Sequence, residues 1–185
     1  MDYGFVKVAT AIPQVAIADC MYNAQRIEHL ITVAEEKGVQ IVSFPELCIT
    51  GYTCGDLFAQ QLLLEEAEMA LMQILNNTRQ SDITAILGMP VRVSSVLINS
   101  AVGIQKGKIL GVVPKTYLPN YKEFYEQRWF TSALDIPENN IRLCGQTVPM
   151  GANLLFEVPN VTFAIEICED LWSVIPPSSM LALQG

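Results

Sequence analysis

Residues 19–44, DCMYNAQRIEHLITVAEEKGVQIVSF, decide the fold. Apolar side chains recur at helical spacing over 21–34, Asp19 can cap the start of that helix, and Gly38 can end it. Residues 39–44 then form a short, almost wholly apolar run, which is typical of a strand covered on both faces. With a strand in front of the helix, this stretch becomes a β-α-β unit.

The flanking sequence supplies that strand and extends the unit. Residues 5–11 alternate between apolar and polar side chains, as strands do. Beyond the unit we predict a turn-rich loop at 45–58, an amphipathic helix at 62–77, a strand at 83–91, hairpins at 96–113 and 154–168, and irregular structure at 131–152. Because hairpins join antiparallel strands, we predict an α/β layered domain with a mixed sheet.

The composition describes one soluble globular domain. The 185 residues include 11 basic and 19 acidic side chains, a net charge of −8, and 51% are hydrophobic. A chain of this length buries roughly 70% of its unfolded surface, enough for an independent core. The acidic balance argues against a nucleic acid or an anionic membrane as partner, and no apolar run approaches the ~20 residues of a membrane span. Since the N-terminus also lacks a signal-peptide pattern, we expect a cytoplasmic protein.

Cysteine and histidine content narrows the possible chemistry. The odd number of cysteines and the absence of a CxxC pair predict reduced thiols and no metal site. His29 is the single histidine, and it lies on the flank of the apolar face of the first helix, where we expect a plain surface residue. Ser-His-Asp and Cys-His catalysis both need a reachable histidine, so carboxylates and lysines must carry any acid-base chemistry.

Three segments place reactive side chains at the ends of predicted strands, where α/β sheets carry their sites. They are FPELCITGY with Glu46, VVPKTYLPNY with Lys115, and AIEICEDLW with Cys168. Taken singly, the first two are ordinary loop residues and the third is an ordinary core thiol. Together they supply a base, a cation and a nucleophile, which is a complete set for acyl transfer without histidine.

These segments resemble the Glu-Lys-Cys signature of the nitrilase, or carbon–nitrogen hydrolase, superfamily. Three segments are most similar to the glutaminase domains of the glutamine-dependent NAD synthetase family: PELCITGYTCGDLF, KTYLPNYKEFYEQRWF and EICEDLW. The resemblance covers almost the whole chain and rests on three motifs in the right order. It implies an αββα sandwich and hydrolysis of the glutamine side-chain amide.

The resemblance also implies a role for each residue of the signature. Cys168 would be the nucleophile, Glu46 the general base, and Lys115, with the backbone N–H of Glu169, the partner of the oxyanion. Relatives carry a second glutamate that positions this set. Glu123 and Glu126 both lie in suitable places, and we favour Glu123.

Four further positions resemble residues that line the glutamine pocket of such domains, where a carboxylate meets the substrate ammonium and aromatic rings flank its methylene chain. Ordinary loop packing is the alternative for each of them. The four are Tyr52, Tyr121, Phe124 and Glu169.

The resemblance extends to partners that these residues do not themselves specify. Such a glutaminase feeds ammonia to an ATP- and Mg-dependent synthetase domain that amidates nicotinic acid adenine dinucleotide. No GxGxxG or P-loop pattern occurs here, so no cofactor is expected in this chain. The domain spanning 1–185 is expected to be incomplete at its C-terminal side, because nitrilase-type domains continue past the cysteine motif. The implied partners are glutamine, that synthetase domain and further copies of the chain.

Two other functions remain open from the sequence. The chain can be a free-standing nitrilase-family amidase that acts on another small amide, or a non-catalytic interaction module in which the fold serves assembly alone. A preference for glutamine over simple amides would distinguish a glutaminase from a free-standing amidase. Covalent labelling of Cys168 would distinguish either enzyme from an interaction module.

Overall fold

A computed structural model describes residues 4–184, so residues 1–3 and Gly185 of the predicted domain lie outside it. The helices are α1 (Cys20–Glu36), α2 (Gln61–Asn77), α3 (Glu169–Trp172) and α4 (Pro177–Ala182). The strands are β1 (Val8–Thr10), β2 (Ile41–Ser43), β3 (Thr84–Val93), β4 (Val96–Gln105), β5 (Lys108–Pro114), β6 (Asn140–Leu143), β7 (Gln146–Pro149), β8 (Leu155–Val158) and β9 (Val161–Ala164).

The central sheet has five strands in the order β1-β2-β3-β4-β5. The pairs β1–β2 and β2–β3 are parallel, with Val42 opposite Ala85, while β3–β4 and β4–β5 are antiparallel. The predicted mixed sheet is therefore confirmed. Parallel strands need a crossover between them, and α1 and α2 provide it.

Alternate residues of the central strands face two separate cores. Leu87 and Val102 belong to the large core, which the sheet shares with α1 and α2. Ala101 and Val113 belong to a smaller core, in which Phe156 of the β8–β9 hairpin covers the opposite face of the sheet. The sheet is thus covered on both faces, which explains the nearly continuous apolar sequence of its inner strands.

The start of α1 follows the prediction. The side chain of Asp19 accepts a hydrogen bond of 3.0 Å from the N–H of Tyr22, which satisfies one of the free donors at the helix start. Gly38 follows the helix with φ +71°, a conformation that glycine adopts without strain. His29 is exposed, as expected from its place on the helix flank.

Two stretches differ from their predictions. The first strand covers only part of 5–11, and Phe5 is 84% exposed, because pairing to β2 begins at Val8. The stretch 131–152 contains the β6–β7 hairpin, whose turn residues Cys144 and Gly145 both have positive φ. Two-residue hairpin turns need that conformation, but cysteine is not one of the residues that normally signal it.

Among the described residues, none of the helices combines the length and the apolar character needed to cross a membrane.

Candidate active site

The three predicted signature residues meet at one edge of the central sheet. Glu46 lies in the turn after β2, Lys115 directly follows β5, and Cys168 directly precedes α3. Lys115 Nζ is 2.7 Å from Glu46 Oε1, and the Glu46 carboxylate lies near enough to the Cys168 thiol to raise its pKa. Glu46 and Cys168 also line a small cavity of about 220 Å³. Lys115 lies 69 residues after Glu46 and Cys168 lies 53 residues after Lys115, yet the fold brings all three to this one place.

Lys115 is buried between two carboxylates. Besides Glu46, its Nζ contacts Glu126 Oε1 at 2.7 Å and Oε2 at 2.9 Å. Burial alone would lower the pKa of Lys115, but the two carboxylates outweigh it and hold that pKa above its usual range. Lys115 therefore stays an ammonium, the form that can offset a developing oxyanion.

Glu126, and not the favoured Glu123, is the second glutamate of this cluster. Glu123 is exposed on the loop between Tyr121 and Glu126, and none of the described hydrogen bonds or ion pairs joins it to the cluster. Glu126 turns inward because its N–H donates to the carbonyl of Pro119 at the start of a short 3-10 turn. Burial raises the pKa of Glu126, and the charge of Glu46 adds to that effect, while the contacts with Lys115 and Tyr52 oppose it.

Asn99 is a member of the cluster that the sequence reasoning missed. Its Nδ2 donates to Glu46 Oε1 at 2.5 Å and lies 3.4 Å from Glu126 Oε2, and its backbone carbonyl accepts from the N–H of Lys115 at 2.9 Å. One signal was available: Asn99 is a polar residue in the middle of the apolar strand β4. A fully buried amide needs partners, and such a position points to a polar network.

The turn that carries Glu46 rests directly on β3 at Gly88. A Cβ atom on Gly88 would lie 2.3 Å from the backbone N of Leu47 and 2.6 Å from the carbonyl O of Pro45. Leu47 itself has φ +52°. Only glycine allows the turn to approach this closely, so Gly88 is required for the position of Glu46.

Cys168 occupies a strained turn. Its φ of +47° and ψ of −99° are rare for a residue with a side chain, and such strain usually persists at functional sites. Partial burial raises the pKa of the Cys168 thiol, the charge of Glu46 raises it further, and Lys115 opposes both effects. At neutral pH the sulfur therefore carries its proton, and Glu46 is placed to accept it.

The four predicted pocket residues separate into two groups. Tyr121 donates from its hydroxyl to the Glu169 carboxylate at 2.9 Å and packs edge-on against Phe124, with 5.9 Å between the ring centres. Tyr121 and Glu169 also line an open cavity of about 810 Å³. Tyr52 has a different partner, since its hydroxyl donates to Glu126 Oε1 at 2.7 Å. Tyr52 therefore belongs to the buried cluster and supports Glu126.

Within residues 4–184, histidine, cysteine, aspartate and glutamate side chains form no group of three or more with the arrangement of a metal site.

A family model described as carbon-nitrogen hydrolase matches residues 8–184. The chain is 36% identical over 187 aligned positions to a protein of Mycobacterium tuberculosis named glutamine-dependent NAD(+) synthetase, and the match covers 100% of the chain but 27% of that relative. The chain thus spans about a quarter of the length of the curated relatives it matches.

Solved structures give the same result for the fold. A glutamine-dependent NAD(+) synthetase from Cytophaga hutchinsonii matches with a TM-score of 0.81 and 30% identity, over 89% of this chain and 28% of that one. A mutant of the amidase from Nesterenkonia sp. AN1, with acrylamide added to its active-site cysteine, matches with a TM-score of 0.68 over 90% of this chain and 59% of that one. Its 17% identity supports the shared fold alone.

Proposed function

The chain belongs to the carbon–nitrogen hydrolase family, and from this membership we propose that it hydrolyses the side-chain amide of glutamine through a thioester on Cys168. One observation carries the proposal. The Cys168 thiol and the Glu46 carboxylate line one small cavity, and Glu46 lies 2.7 Å from the Lys115 ammonium. A nucleophile, a proton acceptor and a cation thus share one small space, as histidine-free acyl transfer requires.

In the first half of the reaction, Glu46 takes the proton of the Cys168 thiol while the sulfur attacks the amide carbon. The negative charge that develops on the amide oxygen is stabilised by Lys115 and the backbone N–H of Glu169, and one such donor is typically worth ~3–4 kcal/mol. Glu46 then protonates the amide nitrogen, the C–N bond breaks, and ammonia leaves. The glutamyl group remains on Cys168 as a thioester.

The second half repeats the same proton transfers with water. Glu46 removes a proton from a water molecule, and the resulting hydroxide attacks the thioester carbon. The C–S bond breaks, the sulfur recovers a proton from Glu46, and glutamate is released. Glu126 keeps its charge throughout, because both of its oxygens lie within 2.9 Å of the Lys115 ammonium.

The groups around Cys168 support glutamine as the substrate. Glu169 offers a carboxylate to a substrate ammonium, Tyr121 holds that carboxylate, and Phe124 packs against Tyr121. Glutamine carries an ammonium group at one end of a short methylene chain and an amide at the other, so it can meet Glu169 and Cys168 at once. Glu46, Lys115 and Cys168 alone would accept any small amide.

We extend the proposal to the protein in which this domain works. The name shared by the relatives, glutamine-dependent NAD(+) synthetase, supports delivery of the released ammonia to a synthetase domain. That domain would amidate nicotinic acid adenine dinucleotide, and ATP and Mg²⁺ would belong to it and not to residues 1–185. We propose a cytoplasmic homo-oligomer as the working form.

Ammonia release from the purified chain tests the function. We expect release from glutamine and little from asparagine or propionamide. Cys168→Ser should lower turnover by about 10³-fold or more with an unchanged fold, because only the nucleophile changes. Equal turnover of simple amides would instead favour a free-standing amidase. A folded chain with no turnover and no covalent adduct would favour an interaction module.

A further inference from the structure

Asp170 is a buried carboxylate that the proposed reaction does not use. It lies two residues after Cys168, in α3, and is 1% exposed. Oδ1 accepts from the N–H of Thr116 at 3.0 Å and of Tyr117 at 2.7 Å, and Oδ2 accepts from the N–H of Ile167 at 3.1 Å. None of the described ion pairs includes Asp170, so backbone amides take the place of a cationic partner.

The three donors belong to the two halves of the site. Thr116 and Tyr117 directly follow Lys115, and Ile167 directly precedes Cys168. One carboxylate therefore joins the chain beside the cation to the chain beside the nucleophile, over 53 residues of sequence. A buried carboxylate with three good acceptor contacts is a rigid connection, because breaking any of them leaves a buried group unsatisfied.

The same residue also closes the turn around Cys168. The N–H of Asp170 donates to the carbonyl of Ile167 at 3.0 Å, so both backbone groups of Ile167 are bonded to Asp170. Leu171 completes the turn by donating to the carbonyl of Cys168 at 3.1 Å. The φ of +47° at Cys168 is unfavourable for a residue with a side chain and persists only where the surroundings hold it.

We propose that Asp170 is a positioning residue that fixes the nucleophile turn against the chain beside Lys115 and so keeps the Cys168 sulfur beside Glu46. The proposal deepens the glutaminase function and rests on it for its catalytic consequence. Misplacing reacting groups by about 1 Å costs about 10²-fold in rate, which sets the size of the expected effect.

Two variants disturb the Asp170 carboxylate in different ways. Asp170→Asn keeps the size of the side chain but turns an N–H donor toward one of the three backbone donors. Asp170→Glu keeps the charge and moves the carboxylate by one methylene. The control Ile74→Ala opens a cavity in fully buried α2 packing and lowers stability without touching the site.

The first measurement is the pH dependence of Cys168 alkylation by iodoacetamide, followed by peptide mass spectrometry in the full chain. Loss of the Asp170 contacts should move the Cys168 thiol away from Glu46 and into solvent, so that it ionises at lower pH. Both Asp170 variants should therefore be alkylated several-fold faster at neutral pH. Ile74→Ala should match the unaltered chain. This measurement does not require glutamine turnover.

The second measurement is glutamine turnover below the melting temperature of each variant. Both Asp170 variants should lose about 30- to 100-fold in kcat with KM changed by less than about threefold, while Ile74→Ala keeps its kcat. If the unaltered chain hydrolyses no glutamine, the proposed function is wrong. The alkylation profile would still test whether Asp170 positions Cys168.

Three results would overturn the inference. The first is an alkylation profile that stays unchanged in both folded variants. The second is an equal shift in Ile74→Ala, which would make the effect a consequence of lower stability. The third is loss of the fold in both Asp170 variants, which would assign Asp170 to stability alone.

Discussion

Lys115 and Glu126 form an ion pair of 2.7 Å in which neither side chain is more than 1% exposed. Both oxygens of Glu126 contact the ammonium, whereas Glu46 contacts it through Oε1 alone, the oxygen that also accepts from Asn99. Neither of these two contacts involves Oε2 of Glu46. This difference supports separate tasks for the two carboxylates in the proposed reaction, in which Glu126 keeps Lys115 charged and in place and Glu46 moves protons.

Glutamine turnover of Glu126→Gln tests this division of tasks. Removing one partner of a buried ion pair typically costs about 3–5 kcal/mol, and a site that depends on the pair should lose roughly 10²- to 10³-fold in kcat. Glu123→Gln, three residues away on the exposed loop, should stay within about twofold of the unaltered chain, as surface substitutions generally do. The opposite ranking of the two variants would restore Glu123 as the supporting glutamate.

Asn99→Leu removes the donor shared by both carboxylates at comparable side-chain size. A hydrogen bond to a charged group is worth about 1.5–3 kcal/mol, so kcat should fall by roughly 10- to 100-fold. Asn99 Oδ1 has no hydrogen-bond partner among the described residues, and the substitution also removes that unsatisfied atom. We therefore expect Tm to stay within about 5 °C of the original value. A large drop in Tm with normal turnover would make Asn99 a purely structural residue.

Gly88→Ala should displace the turn that carries Glu46. The added Cβ meets backbone atoms at 2.3–2.8 Å, and backbone cannot yield as a side chain can. We expect turnover to fall at least tenfold, measured as ammonia release below Tm. Gly111→Ala is the matched control, because its Cβ meets the side chains of Leu154 and Phe156 and not the turn that carries Glu46. Equal effects of the two substitutions would contradict a specific role for Gly88.

The ionisation of Cys168 provides a test without substrate. Partial burial and the negative charge of Glu46 both raise the pKa of the Cys168 thiol, while Lys115 lowers it. Glu46→Gln removes a negative charge beside the sulfur, so the thiolate should form at lower pH. The midpoint of iodoacetamide alkylation, followed from about pH 6 to about pH 10, should move down in Glu46→Gln and stay unchanged in Glu123→Gln. An upward shift would show that Glu46 does not face the sulfur.

Much of the fold was predictable, because its signals are local. The cap at Asp19, the glycine after α1 and the apolar run of β2 each follow from a few neighbouring residues. The β6–β7 hairpin was not predictable, because its turn places Cys144 at positive φ, which few cysteines adopt. Tertiary pairing stabilised that turn against its own local preference.

The sequence predicted which types of residue form the site but not all of the contacts among them. Glu46, Lys115 and Cys168 follow strands, but the choice between Glu123 and Glu126 depends on which way one loop turns, and the Pro119 contact decides it. The contact of Tyr52 was likewise not predictable, because its partner Glu126 lies 74 residues away in the sequence. Long-range hydrogen bonds of this kind leave no periodic pattern in the sequence.

Covalent labelling of Cys168 tests the central claim most directly. A glutamine-like diazoketone, 6-diazo-5-oxo-L-norleucine, should alkylate the chain once, at Cys168, as shown by peptide mass spectrometry. Glutamine should protect the thiol and asparagine should not, and Cys168→Ala and Lys115→Met should remain unlabelled. Labelling at one of the other four cysteines, or none on the folded chain, would contradict the account.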